Sequence, residues 1–206
     1  MCAVLRRLGL NRLWKLGPPE PPNRYCRRRA GELVHVDVKK LGRFHRPGHR
    51  VRGRGPGRRN PGAGWEAVHV AVDDASRLAY VEVLPDERAT TTVGFIQRAV
   101  AWFAERGITI AEVMSDNGAP YPSTAWAPCL HTHGIDHIRT RPYRPRTSGK
   151  AERFIQTMLR GWAYAPSYPS SDHRRQALPA WIRYYNNQRP HGALGHKTPA
   201  SRLRDD

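Results

Sequence analysis

Three stretches of strand-like alternation follow one another between residues 33 and 84, after which the pattern becomes helix, strand, helix, strand, helix. This change of period constrains the fold more than any other feature of the chain. In "LVHVDVKKL", Leu33, His35 and Asp37 fall on one face of a strand and Val34, Val36 and Val38 on the other. "EAVHVAVDDASRLAYVEVL" reads as two strands joined by a turn at "DDASR". "TTTVGFIQRAVAWFAERG" predicts an amphipathic helix with Val93, Ile96, Val100 and Phe103 on one side, a threonine cap and an end at Gly107. "ITIAEVMSDNG" is a strand running into a turn, "STAWAPCLHTHG" a short helix, and "IDHIRT" a short strand. A helix begins near Gly149, and a last one, "LPAWIRYYNN", aligns Leu178, Trp181, Ile182 and Tyr185 before Pro190. A meander supplies antiparallel strands and crossover helices supply parallel ones. The predicted class is therefore α/β, a mixed five-stranded sheet flanked by helices.

Charge narrows the function. Thirty-five Lys and Arg against 17 Asp and Glu leave the 206-residue chain at +18, while 39% hydrophobic residues suffice for a core. A compact domain with that excess repels itself and calls for an anionic partner, nucleic acid being the commonest. The cations cluster. Residues 39–65 hold nine Lys or Arg and no acid, and residues 139–154 hold six with Glu152 as the single acid. No apolar run reaches membrane-spanning length, and Arg6 and Arg7 interrupt the first one, so a soluble, cytoplasmic chain without a membrane partner is expected. Cys2, Cys26 and Cys129 lack the spacing of a disulfide framework and read as reduced thiols. Cys129, His131 and His133 alternate without a second ligand pair, unlike a zinc site. Residues 3–16 suggest a short helix ending near Gly9, followed by the linker "LGPPEPPNRY".

Three carboxylates stand in unusual places. Asp37 lies in a valine-flanked strand, where its charge is either solvent-exposed or compensated. Asp116 follows an apolar strand and precedes Asn-Gly, where it either supports the turn or joins a site at the strand's carboxyl end. Glu152 occupies the first turn of a helix, a position the helix dipole favours by itself. The first two strands are expected to be neighbours, with the helix across their ends. Taken together, the three offer hard oxygen ligands suited to Mg²⁺ or Mn²⁺ in phosphoryl chemistry. Asp73 and Asp74 in the hairpin turn read as turn chemistry.

"HVDVKK", "SDNGAPY" and "RPRTSGKAERF", with 35 residues between Asp116 and Glu152, resemble the Asp, Asp, Glu signature of bacterial insertion-sequence transposases that share the retroviral-integrase catalytic core. "DDASRLAYVEVLPDE" and "YYNNQRPHGALGHKTPASRL" are similar to further stretches of that family, so the resemblance runs from about Gly31 to Leu203. It implies a ribonuclease-H-like fold, and it implies Asp37, Asp116 and Glu152 as ligands of two catalytic Mg²⁺ or Mn²⁺ ions. It further implies hydrolysis at transposon ends, attack of the freed 3′-hydroxyl on target DNA, and a homodimer or larger assembly on DNA. Ser148, Ile155 and Gln156 depart from the residues common in the family. "MCAVLRRLGLNRL" looks like the tail of a helix-turn-helix module, which divides the chain into residues 1–30 (remnant and linker), 31–165 (catalytic core) and 166–206 (C-terminal helical extension). Lys150, Arg153 and Gln156 beside Glu152, a basic arm of Arg139, Arg141, Arg144 and Arg146, and a second arm at residues 43–59 with Lys39, Lys40 and Arg43 leading into it are the expected DNA contacts. A remnant that binds DNA without cutting it, or a basic nucleic-acid-binding protein with incidental acids, remain the alternatives.

Overall fold

The computed structural model describes residues 2–9, 26–47, 62–140 and 149–203. Five strands form one sheet: β1 (Val34–Arg43), β2 (Gly64–Asp73), β3 (Ala79–Leu84), β4 (Glu112–Ser115) and β5 (Asp136–Arg139), in the order β3-β2-β1-β4-β5. β1, β2 and β3 pair antiparallel, as a meander must, and β4 and β5 join in parallel through helical crossovers. The mixed sheet expected from the sequence is the one observed.

Alternation within β1 and β2 gives both faces of the sheet a core. Val34, Val36 and Ala71 meet Phe95, Ile96 and Phe103 of α2 (Ala89–Ala104), and Trp126 and Leu130 of α3 (Trp126–Thr132) join the same cluster. On the other face, Leu41, Val68, Val70 and Val72 meet Phe154 and Met158 of α4 (Gly149–Met158) and Leu178 and Tyr185 of α5 (Ser171–Asn187). The result is a three-layer stack with helices on both sides. A π turn at Leu159–Ala163, absent from the sequence reading, ends α4 and buries Trp162, whose indole donates to the Arg174 carbonyl at 2.8 Å. α5 begins earlier than expected, behind a Ser170 cap, and accommodates Pro179 within it. It is stitched to the sheet edge by Asn186, which exchanges two hydrogen bonds with the Ala79 backbone, at 3.0 and 2.9 Å. Arg174, fully buried, pairs with Glu66 and donates to the Gly42 carbonyl at 2.7 Å.

Two local readings need correction. No threonine caps α2. Arg88 stands at its N-cap, and Asp86 accepts from the Arg88 backbone and the Thr91 hydroxyl at 3.0 and 2.6 Å. The buried stripe is also rotated toward Thr92, Phe95 and Ala99, leaving Val93 and Val100 only partly buried. Gly107 does close that helix, at φ +74°. The short helix α1 (Cys2–Arg7) gives way to Gly9 at φ +71°, while the linker at residues 16–25 and most of the 43–59 arm lie outside the described residues. A four-residue helix, α6 (Pro199–Arg202), ends the described chain. Cys26 and Cys129 are unpaired. No helix among the described residues is long and apolar enough to cross a membrane.

Among the described glycines, Gly31 is the most tightly surrounded. It sits at φ +88°, and an added Cβ would meet the Thr109 carbonyl oxygen at 2.2 Å. Its N–H donates to Asp73 and its carbonyl accepts from Ala111, so it ties the entry to β1 onto the hairpin turn and the approach to β4. Gly31→Ala is expected to destabilise by more than about 2 kcal/mol, read as a lowered urea midpoint.

Candidate active site

The parallel pairing of β1 with β4 aligns Val34 with Val113 and His35 with Met114, and the same offset carried two residues on sets Asp37 level with Asp116. Asp37 is half-buried on the face that α4 covers, and Asp116 is exposed just past the end of β4. Glu152 is exposed in the first turn of α4, whose Ala151 and Phe154 anchor it against the sheet. Burial pushes the Asp37 carboxyl up to about 6, its acceptance of the Val38 N–H at 2.7 Å opposes this, and the charges of Asp116 and Glu152 push it further. Three acids from three elements thus share one electrostatic environment.

Tyr121, buried in the core on the α2 face, has its hydroxyl pushed well above the usual range by burial first, then by Asp37 and Asp116. It stands edge-on to Trp126 at 5.0 Å, whose indole donates to His137 at 3.2 Å. Asp116 also supports its turn, accepting the Gly118 N–H at 2.8 Å, so the turn function and a site function coexist in one carboxylate. The donor set is oxygen only, and burial first, with the other two charges behind it, drives Asp37 toward protonation, an environment that a hard divalent cation relieves. Among the described residues, no three His, Cys, Asp or Glu side chains stand close enough to enclose one ion.

The cations expected around the site are dispersed. Lys150 turns inward: its ammonium pairs with Asp74, which is fully buried and also meets His35 Nε2 at 2.7 Å and the Arg27 N–H at 2.6 Å. Burial alone would raise the Asp74 carboxyl, but the bonds from His35, Lys150 and Arg27 outweigh it and hold the group well below the usual carboxylate range. Asp73 is the turn residue expected, accepting from Ser76 N and Oγ at 2.7 Å each. Asp74 is not: it is the centre of a buried charge cluster linking β1, the hairpin turn and α4. Sequence reasoning missed it because its partners lie 39 and 76 residues away. The one available signal was His35, two residues before Asp37 on the same strand face. Arg153 and Gln156 are exposed on α4, Gln156 one turn beyond Glu152. Lys39 is exposed near Asp37, Lys40 pairs with Glu87 at 2.6 Å, and Arg43 and Arg139 are exposed at strand ends. Arg141, Arg144 and Arg146 lie outside the described residues.

The Integrase core domain family matches residues 27–145, and a second Integrase core domain match covers residues 133–199. The chain belongs to the integrase core family. K02A2.6, an uncharacterized protein of Caenorhabditis elegans, is 31% identical to this integrase core over 153 residues, 68% of the chain and 12% of that protein. The 39.2 kDa protein of insertion element IS476 from Xanthomonas euvesicatoria is 30% identical over 135 residues, 66% of the chain and 35% of the relative. The putative transposase InsD of insertion element IS2E from Escherichia coli K12 is 28% identical over 93 residues, 45% of the chain and 43% of the relative. The chain spans less than half the length of each of these relatives. Among solved structures, the catalytic core domain of BIV integrase aligns with TM-score 0.57 at 18% identity, over 85% of this chain and 95% of that one. A chain of the simian T-cell lymphotropic virus intasome, in complex with PP2A regulatory subunit B56 gamma, aligns with TM-score 0.64 at 19% identity, over 89% and 59%. At such identities the structures establish the fold, the ribonuclease-H-like core of integrases. The resemblance to insertion-sequence transposases with an integrase-like core is upheld.

Proposed function

We propose that this integrase core catalyses metal-dependent DNA strand cleavage and strand transfer in the transposition of an insertion sequence, with Asp37, Asp116 and Glu152 as the ligands of two Mg²⁺ or Mn²⁺ ions. The observation that carries this reading is Asp37: a half-buried strand carboxylate lifted to about 6, in part by the two acids that the family resemblance pairs with it. Such an arrangement is unfavourable without a cation. A pair of ions bound there would supply activation of the attacking water or 3′-hydroxyl and stabilisation of the leaving oxygen in an in-line displacement. The protein's own contribution is placement. β1 and β4 hold two acids level, and α4 carries the third in its first turn. Exposed Lys39, Arg153 and Gln156 are proposed to steer the phosphodiester in, largely without regard to sequence. By analogy with the intasome, the working form is a homodimer or larger assembly on DNA.

Calorimetric titration of Mn²⁺ tests the reading directly. Binding is expected at pH 7, is expected to vanish in Asp116→Asn, and should weaken as the pH falls through about 6, where Asp37 takes up its proton. Equal heats from the wild type and Asp116→Asn would exclude the carboxylate site. A second reading, a core that binds DNA without cutting it, draws on one observation: among the described residues the acids are not gathered tightly enough to enclose an ion. It predicts no Mn²⁺ binding at any pH with DNA affinity intact.

A further inference from the structure

The β2–β3 turn, one flank of α4 and the segment after α5 enclose a cleft of about 390 Å³. Its charged lining is entirely cationic, with Arg77 from the turn, Lys150 and Arg153 from α4, and Arg189 from the segment beyond α5. Lys150 is engaged with Asp74. Among the described residues, no carboxylate pairs with Arg77, Arg153 or Arg189. Three guanidiniums around one cleft repel one another unless an anion lies between them.

The backbone makes the same point. Arg77 sits at φ +66°, the left-handed region that a turn ordinarily gives to Gly, Asn or Asp. Arginine is a strained choice there, and it supplies what glycine cannot, a cation held at the cleft's rim by donation to the Asp74 carbonyl. Arg189 lies 5.9 Å over the Tyr185 ring and approaches His191 Nε2 at 3.5 Å, which fixes its direction. Burial, then the charges of Arg189 and Arg77, hold the His191 imidazole at about 4, so it is neutral at pH 7. A second cavity of about 620 Å³ shares Ala193 with the first and is lined by Arg28, Arg29, Lys197 and Arg202, again with no acid. Two neighbouring basic cavities suit a chain of phosphates better than a single ion. The planar fork of arginine matches phosphate oxygens bidentately.

We infer that the cleft between Arg77, Arg153 and Arg189 holds a backbone phosphodiester of DNA, on the flank of α4 turned away from Glu152. Lys150, Arg153 and Thr157 lie on that flank, roughly 100–160° around the helix from Glu152. DNA reaching the carboxylates is then gripped on both sides of α4. The choice of DNA as ligand rests on the proposed function; the cleft and its charge do not.

The test is fluorescence anisotropy with a labelled random-sequence duplex, without divalent metal, over a series of KCl concentrations. Arg77→Gln/Arg189→Gln is expected to weaken binding about tenfold at moderate salt and to reduce the log–log salt slope by about 1–2, since each neutralised phosphate contributes roughly 0.9. Arg153→Gln alone, exposed and free of packing, is expected to reduce it by about 1. Arg106→Gln/Arg175→Gln removes the same charge from exposed sites outside the cleft and is expected to leave the slope nearly unchanged. An unchanged slope in both cleft variants overturns the inference, as does an equal loss in the control. Inorganic phosphate is titrated in parallel. Phosphate binding that the double variant loses while its DNA slope stays intact makes the cleft a small-anion site and defeats the inference. Cleavage by Asp116→Asn is a separate readout, so the catalytic reading and the cleft can fail independently.

Discussion

Asp37→Asn is expected to move activity and stability in opposite directions. Under the proposed function, strand cleavage should fall by more than about 100-fold, because losing even a residue that only orients a metal ligand typically costs 10–100-fold. Folded stability at pH 7 should rise. The Asp37 carboxyl goes from 3.8 to about 6 on folding, so its charge is disfavoured in the native state by at most roughly 3 kcal/mol. The sign follows from linkage: below pH 3.8 both states hold the proton and nothing is lost, and stability then declines as the pH rises to about 6. Asparagine never ionises, and its side-chain oxygen can still accept the Val38 N–H. The variant is therefore expected to be about 1–3 kcal/mol more stable at pH 7, with the gain vanishing below pH 4. Urea denaturation at the two pH values measures this. A variant less stable at both would make Asp37 a structural residue.

Breaking the Asp74 cluster should have the largest effect on stability. Asp74→Ala leaves His35 and Lys150 facing a void at a fully buried position, and a loss of about 3–5 kcal/mol is expected. Lys150→Met should cost less, since His35 and the Arg27 N–H still satisfy the carboxylate. The two losses should not add; a double-mutant cycle is expected to give a coupling above about 1 kcal/mol. Because the Asp74 carboxyl is held well below 3.8, its contribution is present above that pH and is lost in stronger acid. Under the proposed function the same pair bears on catalysis. Lys150 precedes Glu152 by two residues, so releasing it from Asp74 frees the first turn of α4 and is expected to lower cleavage more than DNA affinity. Were Lys150→Met to flatten the salt slope of DNA binding while leaving the urea midpoint unchanged, Lys150 would be a phosphate contact rather than a tie.

The sheet was legible because strand alternation has a period of two, set by backbone geometry between neighbours in the chain. Val34, Val36 and Val38 against Leu33, His35 and Asp37 already separate the two faces, and the hairpin turn and crossover helices then leave little freedom in strand order. The three acids were legible as candidates for a related reason: each breaks a local expectation for its own element, and together they match a family's spacing. What each charge touches is another matter. The pairing of Asp74 with Lys150 was not legible, because the two stand 76 positions apart and meet only when the sheet and α4 have packed together. The start of α2 followed suit, since Asp86 accepts from the Arg88 backbone and the Thr91 hydroxyl and no threonine caps the helix. The sequence alone determined which residues could form strands and where acids stood among cations. The tertiary structure decided which charges are buried, because desolvation strengthens each interaction in a dry interior and burial is a property of the whole chain.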